Sequence, residues 1–428
     1  MTLVRSVSNQ SALHQYVELL VRLHSLISEG RGDGELADEL RDLMDASWYR
    51  MSEAELRIAR QASADLYLLN PGETIPFPID VTFTTELATT LAKSKEQNDY
   101  ITALEQLRLR ANEIGAHRAL SLMSICYSHL GLSDLSILFA QRSIEFAIDH
   151  SRSYSQLLLS MIRAGKREAA LALARKLLEK SELLDPEVRL LCATLFLGES
   201  HFHENDVASR LVEEAIKEFS AILGTLNSQQ NTTKDSLKID CFYFMGEASY
   251  LSGNTNVAID YLNRAIKIHP LDEKSLILRG LLRLRTDFKS AIKDFSDAIA
   301  CGTHSFEAYY YVAYDALASE SFDECIHFAQ IGLIQSSDAE SKSELHEMIA
   351  YSLIGNSKSF EVLPVPEIRR HFLIAMRLAP FDAKYEQRLQ EFEAFVEQNK
   401  IPKQRALKPE DVTIKGIELR AESYLAAV

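Results

Sequence analysis

Residues 239–272 read IDCFYFMGEASYLSGNTNVAIDYLNRAIKIHPLD, and this stretch decides the fold. Phe242, Met245, Gly246, Gly253, Ala258, Leu262, Ala265 and Pro270 are its informative positions. One period of 33 or 34 residues later stand Leu276, Gly280, Ala291, Phe295 and Ala298, and after another Tyr309, Ala313, Cys325, Ala329 and Gly332. Upstream the phase continues. Leu120, Met123, Ser124, Gly131, Ser136, Ala140 and Ser143 form one degenerate copy, and Tyr154, Leu157, Leu158, Gly165, Ala170, Ala174 and Leu177 form the next. A period of this length marks stacked supersecondary units, each unable to bury its apolar face alone. Small residues fall where two helices of a unit approach closely, and Gly suits the turn between them.

Bulk properties agree. A chain of 428 residues exceeds what one compact core usually holds, so several domains or one array are expected. Only 16 Gly and 10 Pro speak for long helices joined by short turns and against a β-sandwich. The net charge of −15 disfavours nonspecific binding to nucleic acid or an anionic membrane, so neither partner is expected. The best local exception, Lys400, Lys403, Arg405 and Lys408, reads as a solvated linker beside Pro402 and Pro409. The 5 cysteines are widely spaced without C-x-x-C, which suits a reducing compartment. Cys126, Cys241 and Cys325 fall on apolar helix faces, where the thiol acts as a small hydrophobe. The N-terminal residues lack the layout of a signal peptide, and no window reaches the roughly 18 apolar residues of a membrane span. A cytoplasmic protein is the expectation.

Four segments are expected: an N-terminal helical module over 1–80, degenerate helical repeats over 84–226, regular repeats with a capping helix over 236–399, and a linker with a C-terminal helix over 400–428. Within the first, a helical stripe over 10–30 stops at Gly30-Arg-Gly-Asp-Gly34, a short helix follows near 35–45, and Ser52-x-x-Glu55 opens a helix over 53–69 as a capping box. Trp48 and Tyr49 offer an exposed anchor, but a Trp at a helix junction more often packs helices together. The polar run 227–235 reads as a hinge loop, 355–366 as an insertion, and the charged helix 382–399 as the polar cap an array needs. The tail, with Ile414, Ile417, Leu419, Tyr424 and Leu425, reads either as a docking helix, as a free tail or as a helix folded back on the array.

The spacing aromatic–x2–Met-Gly–x6–Gly–x4–Ala–x3–Leu–x2–Ala–x4–Pro at 242–270 resembles the tetratricopeptide repeat. The matches are best at 239–272, 273–305 and 306–338; the second lacks one turn residue at Thr286-Asp287, and only the first keeps its terminal proline until Pro380. The resemblance implies an all-α, tetratricopeptide-like α-solenoid, a right-handed superhelix of helical hairpins whose first helices line a concave groove. The peptide-binding groove would then present Tyr243, Glu247, Tyr250, Lys274, Ile277, Leu281, Tyr310 and Tyr314, with Asp240, Leu284, Glu307 and Leu317 beside them. Some family members hold a C-terminal carboxylate with Lys and Asn at such positions; Tyr243 and Glu247 do not support that clamp here.

The implied function is a non-enzymatic scaffold or adaptor that takes a peptide or helix of a partner protein, with no cofactor. The alternative is a self-associating solenoid, a homo-oligomer, with the groove filled by the chain's own tail. A third reading is a metal-dependent enzyme using His201 and His203. Those two residues stand at i, i+2, share no helical face and have no third ligand at a recognisable spacing, so no metal site is expected. Cys325 and His327 likewise diverge on a helix, and no phosphate-binding or nucleophile-elbow motif is present, so no catalytic residue is assigned.

Overall fold

Helix pairing follows from the cap and turn chemistry of the chain. In the computed structural model, residues 11–69, 77, 85–97, 99–110, 113–146, 151–179, 184–228, 235–357 and 363–401 are described. Among them the only regular structure is helical. The first set is α1 (Ala12–Ser28), α2 (Glu35–Trp48), α3 (Glu53–Leu66), α4 (Thr85–Glu96), α5 (Tyr100–Leu109), α6 (Ala116–His129), α7 (Ser133–Glu145), α8 (Ser151–Arg163), α9 (Arg167–Glu179), α10 (Pro186–Ser200) and α11 (Asn205–Ser228). The second is α12 (Asp235–Leu251), α13 (Thr255–Ile268), α14 (Glu273–Arg283), α15 (Phe288–Ala300), α16 (Phe306–Ala318), α17 (Phe322–Gln335), α18 (Ala339–Gly355), α19 (Val365–Leu378) and α20 (Ala383–Gln398). The chain divides into two compact units, Met1–Glu218 and Phe219–Val428. No helix among the described residues is long and apolar enough to cross a membrane.

The expected N-terminal helix starts and the packing role of Trp48 are present. Ser52 and Glu55 form a capping box, with the Glu55 carboxylate accepting from the Ser52 backbone N–H at 2.8 Å. Trp48 lies against Tyr16 of α1, with ring centroids 5.4 Å apart, and under Arg60 of α3, so it joins three helices as a packing residue. Tyr49 beside it is 86% exposed. One apolar cluster runs from Leu13 through Leu66 and Leu104 to Phe139, so α1–α3 share their core with α5–α7.

Repeat phase appears in the turns. Gly131, Gly165 and Gly253 occupy one repeat position and have φ of +77°, +71° and +79°, the left-handed conformation that ends the first helix of a hairpin. In the third regular copy the same position is Glu320, at φ +58°. The second copy is one residue shorter there and turns from α14 into α15 through the N-cap Asp287, whose side chain accepts from the Ser290 N–H. The Ser290 hydroxyl first, and then this N–H, hold the Asp287 carboxyl below its usual range. Asp272, Asp338 and Asp382 cap α14, α18 and α20 in the same way.

Close approach within hairpins is built from small residues. A Cβ on Gly246 of α12 would stand 3.0 Å from Leu262 and 3.3 Å from the Ala258 carbonyl oxygen of α13. On Gly280 of α14 it would meet the Phe295 ring of α15 at 2.8 Å. In the first degenerate copy, α6 and α7, serines stand at such positions and bond to one another. The Ser124 hydroxyl of α6 donates to the Ser136 carbonyl of α7 at 2.7 Å, and the Ser136 hydroxyl returns to the Ser124 carbonyl at 2.8 Å. Ser136 also meets Ser160 of α8 at 2.6 Å, and the Ser143 hydroxyl donates to the His117 carbonyl at 2.9 Å. Cys126, Cys192, Cys241 and Cys325 are buried, and burial pushes the first three thiols up to about 12.

A buried polar knot joins α3, α5 and α6. Asp65 is fully buried, accepts from the Tyr127 hydroxyl at 2.5 Å and pairs with Arg108 Nε at 2.8 Å. Burial raises its pKa to about 6, outweighing Tyr127, Arg108 and Gln61, which all favour the charged form. Its protonated form is therefore favoured by folding, so this group's contribution to stability is greatest below the unfolded value near 3.8 and falls as pH rises through about 6. Replacing Asp65 by Ala is expected to cost about 2–3 kcal/mol, because Tyr127 and Arg108 lose their shared partner. Two glycines test the hairpin packing by urea melts. Gly280→Val is expected to cost about 2 kcal/mol through its clash with Phe295. Gly198→Ala, where a Cβ meets nothing within 4 Å, should be neutral or stabilising by up to about 1 kcal/mol.

Candidate functional site

First helices of successive hairpins touch in the second unit, α12 against α14 and α16 against α18. All eight expected groove residues lie on α12, α14 and α16. Tyr250 and Tyr314 are each 49% exposed, Lys274 is exposed, and the other five are half-buried. Contacts and charges gather several of them into two groups.

At α12, Tyr243 meets Phe244 edge-on, with centroids 5.1 Å apart. Burial pushes the Tyr243 hydroxyl up to about 12, with the negative charges of Glu247 and Asp272 adding to the effect. Burial also raises Asp240, which Lys274 of α14 opposes and Asp272 reinforces. Tyr243, Glu247, Asp240, Asp272 and Lys274 thus share one electrostatic environment, with three carboxyl groups to one ammonium. Leu281 of α14 takes a structural part, packing with Leu284 on the core of Ala291, Phe295, Ala308 and Val312.

The second group centres on α16. The Tyr310 hydroxyl donates to Glu344 of α18 at 2.6 Å, a residue 34 positions later. Burial first, then this bond and the Glu344 charge, hold the phenol protonated well above its usual range. The ring rests on Phe306 at 5.4 Å and edge-on to Tyr311 at 5.1 Å. From α20, Lys384 reaches Glu347 at 3.6 Å and Glu344 at 3.9 Å, while Arg388 reaches Glu347 at 3.4 Å. Arg388 also stands 5.9 Å from the centroid of the Tyr351 ring on α18. Tyr314 lies apart from these, edge-on to Phe288 of α15 at 6.1 Å.

Glu344, Glu347, Tyr351, Lys384 and Arg388 were not among the expected residues. Their signal was the period itself, since Glu344 follows Tyr310 by one repeat.

Elsewhere, His201 ends α10 and His203 follows it, both exposed. Among the described residues no group of three or more His, Cys, Asp or Glu side chains is placed to hold a metal ion. Of the tail, Lys403, Arg405, Lys408 and residues 409–428, with the expected C-terminal helix, lie outside the described residues.

No protein-family model matches the chain, and no curated protein matches it in sequence. Solved structures resemble it at low identity. A tetratricopeptide repeat protein from Parabacteroides merdae is 13% identical over 63% of this chain and 98% of its own, with a TM-score of 0.42. PilF from Pseudomonas aeruginosa is 12% identical over 50% of this chain and 89% of its own, at 0.40. The Cut9–Hcn1 assembly gives 14% over 89% of this chain and 68% of that chain, at 0.39. The chain's own geometry carries the assignment to an all-α, tetratricopeptide-like fold: antiparallel hairpins, a left-handed turn residue and a small-residue contact recurring with the period.

Removing the Tyr310 hydroxyl isolates the contact between successive first helices. Tyr310→Phe is expected to cost about 1 kcal/mol in urea melts. In a double-mutant cycle with Glu344→Ala, most of that loss should disappear, since the two side chains share one bond.

Proposed function

We propose that the chain is a non-enzymatic protein-interaction scaffold whose first-helix face in the second unit binds a peptide or helix of a partner protein. The observation that supports this most is the row of tyrosines on α12 and α16, with Tyr250 and Tyr314 each half exposed on helices otherwise packed into hairpins. Tyrosine supplies a large contact area at low entropic cost, with a hydroxyl for a partner backbone. The two groups of residues would then have different parts. Tyr243, Glu247, Tyr250, Lys274 and Ile277 belong to the end of the face where carboxyl groups predominate. Tyr310 is committed to Glu344 and holds its own helix in place, while Tyr314 stays available to a partner. Carboxylate capture is disfavoured at both ends, because Lys384 and Arg388 already meet Glu344 and Glu347.

A photo-crosslinking residue at position 250 or 314 should capture the same partner from native lysate. The double variant Tyr250→Ser, Tyr314→Ser should reduce that capture at least tenfold while helicity and melting remain unchanged. Undiminished capture by the folded variant would remove this face from consideration.

A further inference from the structure

The hairpin of α18 and α19 contains a pair that the binding face does not use. His346 and His371 are 3% and 8% exposed, and their Nδ1 atoms lie 2.9 Å apart. The ring centroids are 5.1 Å apart, with planes inclined at 47°. This contact needs one N–H donor and one lone pair, so at least one imidazole is neutral when it forms. A first proton would leave a cation in a site closed to water, and a second would also set two N–H groups against each other.

The surrounding charges offer that cation no help. Lys342 on α18 and Arg370 on α19 act on the pair, and both oppose protonation. Glu344 is engaged by Tyr310 of α16, and Glu347 by Lys384 and Arg388 of α20. α20 also presents Glu393 to Arg369 of α19, and α17 presents Asp323 to Asn356, just beyond the C-terminus of α18. Burial is the largest effect on both rings, holding His371 down at about 4 and His346 well below its ordinary value.

We infer that the His346–His371 contact is an acid-sensitive latch between α18 and α19, which mild acid opens. Because α18 carries Glu344 and Glu347, opening it would dismantle that end of the first-helix face. On the binding reading above, a partner held there would be released in acid. The direction follows from linkage. In the closed hairpin the rings stay neutral through mild acid, whereas in an open one each protonates below its ordinary value of about 6.5. The latch is therefore fully effective above that value and weakens as pH falls toward about 4. Each ring raises the opening equilibrium by up to about tenfold per pH unit, and the pair by up to about a hundredfold.

Hydrogen exchange of the full-length protein, corrected for the intrinsic pH dependence of amide exchange, tests this. Between about pH 7 and about pH 5, peptides from α18 and α19 should lose at least tenfold in protection while those from α12–α15 hold theirs. The double variant His346→Leu, His371→Phe, which has nothing to titrate there, should lose the dependence. If it does not fold, His371→Gln, which retains hydrogen-bonding capacity, should show about half the slope. Unchanged protection of α18 and α19 in the native sequence would overturn the latch, as would equal acid sensitivity in a folded variant. The readout needs no partner, so its failure is distinct from failure of the binding reading.

Discussion

Close contact between the two helices of each hairpin is the constraint on which the rest depends. At Gly246 and Gly280 there is no room for another carbon without moving Leu262, the Ala258 carbonyl or Phe295. Helices packed this closely interlock side-chain ridges and have few alternative registers. The register fixes which residues of a first helix face inward and which face its neighbour in the stack. Tyr310 meets Glu344 because both hairpins hold the same register.

The hairpin of α6 and α7 in the first unit meets the same constraint with different chemistry. Serines at its small positions fit between helices but bring hydroxyls into a buried space. Each such hydroxyl costs free energy unless it is bonded. The reciprocal bonds of Ser124 and Ser136, extended to Ser160, and those of Ser143 to His117 meet that demand. A side chain that bonds across a hairpin also specifies its register, which an alanine contact does less sharply. Degeneracy of the repeat here is therefore a change in how the helices are joined.

Much of the fold was legible because its determinants are local. Ser52 and Glu55 announce a helix start, and Gly131, Gly165 and Gly253 announce turns, from spacings of a few residues. Glu320 was harder to see, since a glutamate in a left-handed turn carries no compositional mark. The proposed binding face was legible only in part. Tyr243, Tyr250, Tyr310 and Tyr314 follow from helix phase, but the pairing of Lys384 and Arg388 with Glu347 depends on how α20 stacks beside α18.

By itself the sequence determined the class: helices, hairpins and a repeat, through apolar periodicity, small residues at close contacts and turn chemistry. It also placed the tyrosines on first helices. Only the tertiary structure decided their status, because burial and partners depend on residues a full repeat or more away. It gave the Tyr310 hydroxyl to Glu344, left Tyr250 and Tyr314 half exposed, and brought His346 against His371 from 25 residues away. Periodicity specifies which way a side chain points from its own helix; what it meets there is set by the neighbouring helix.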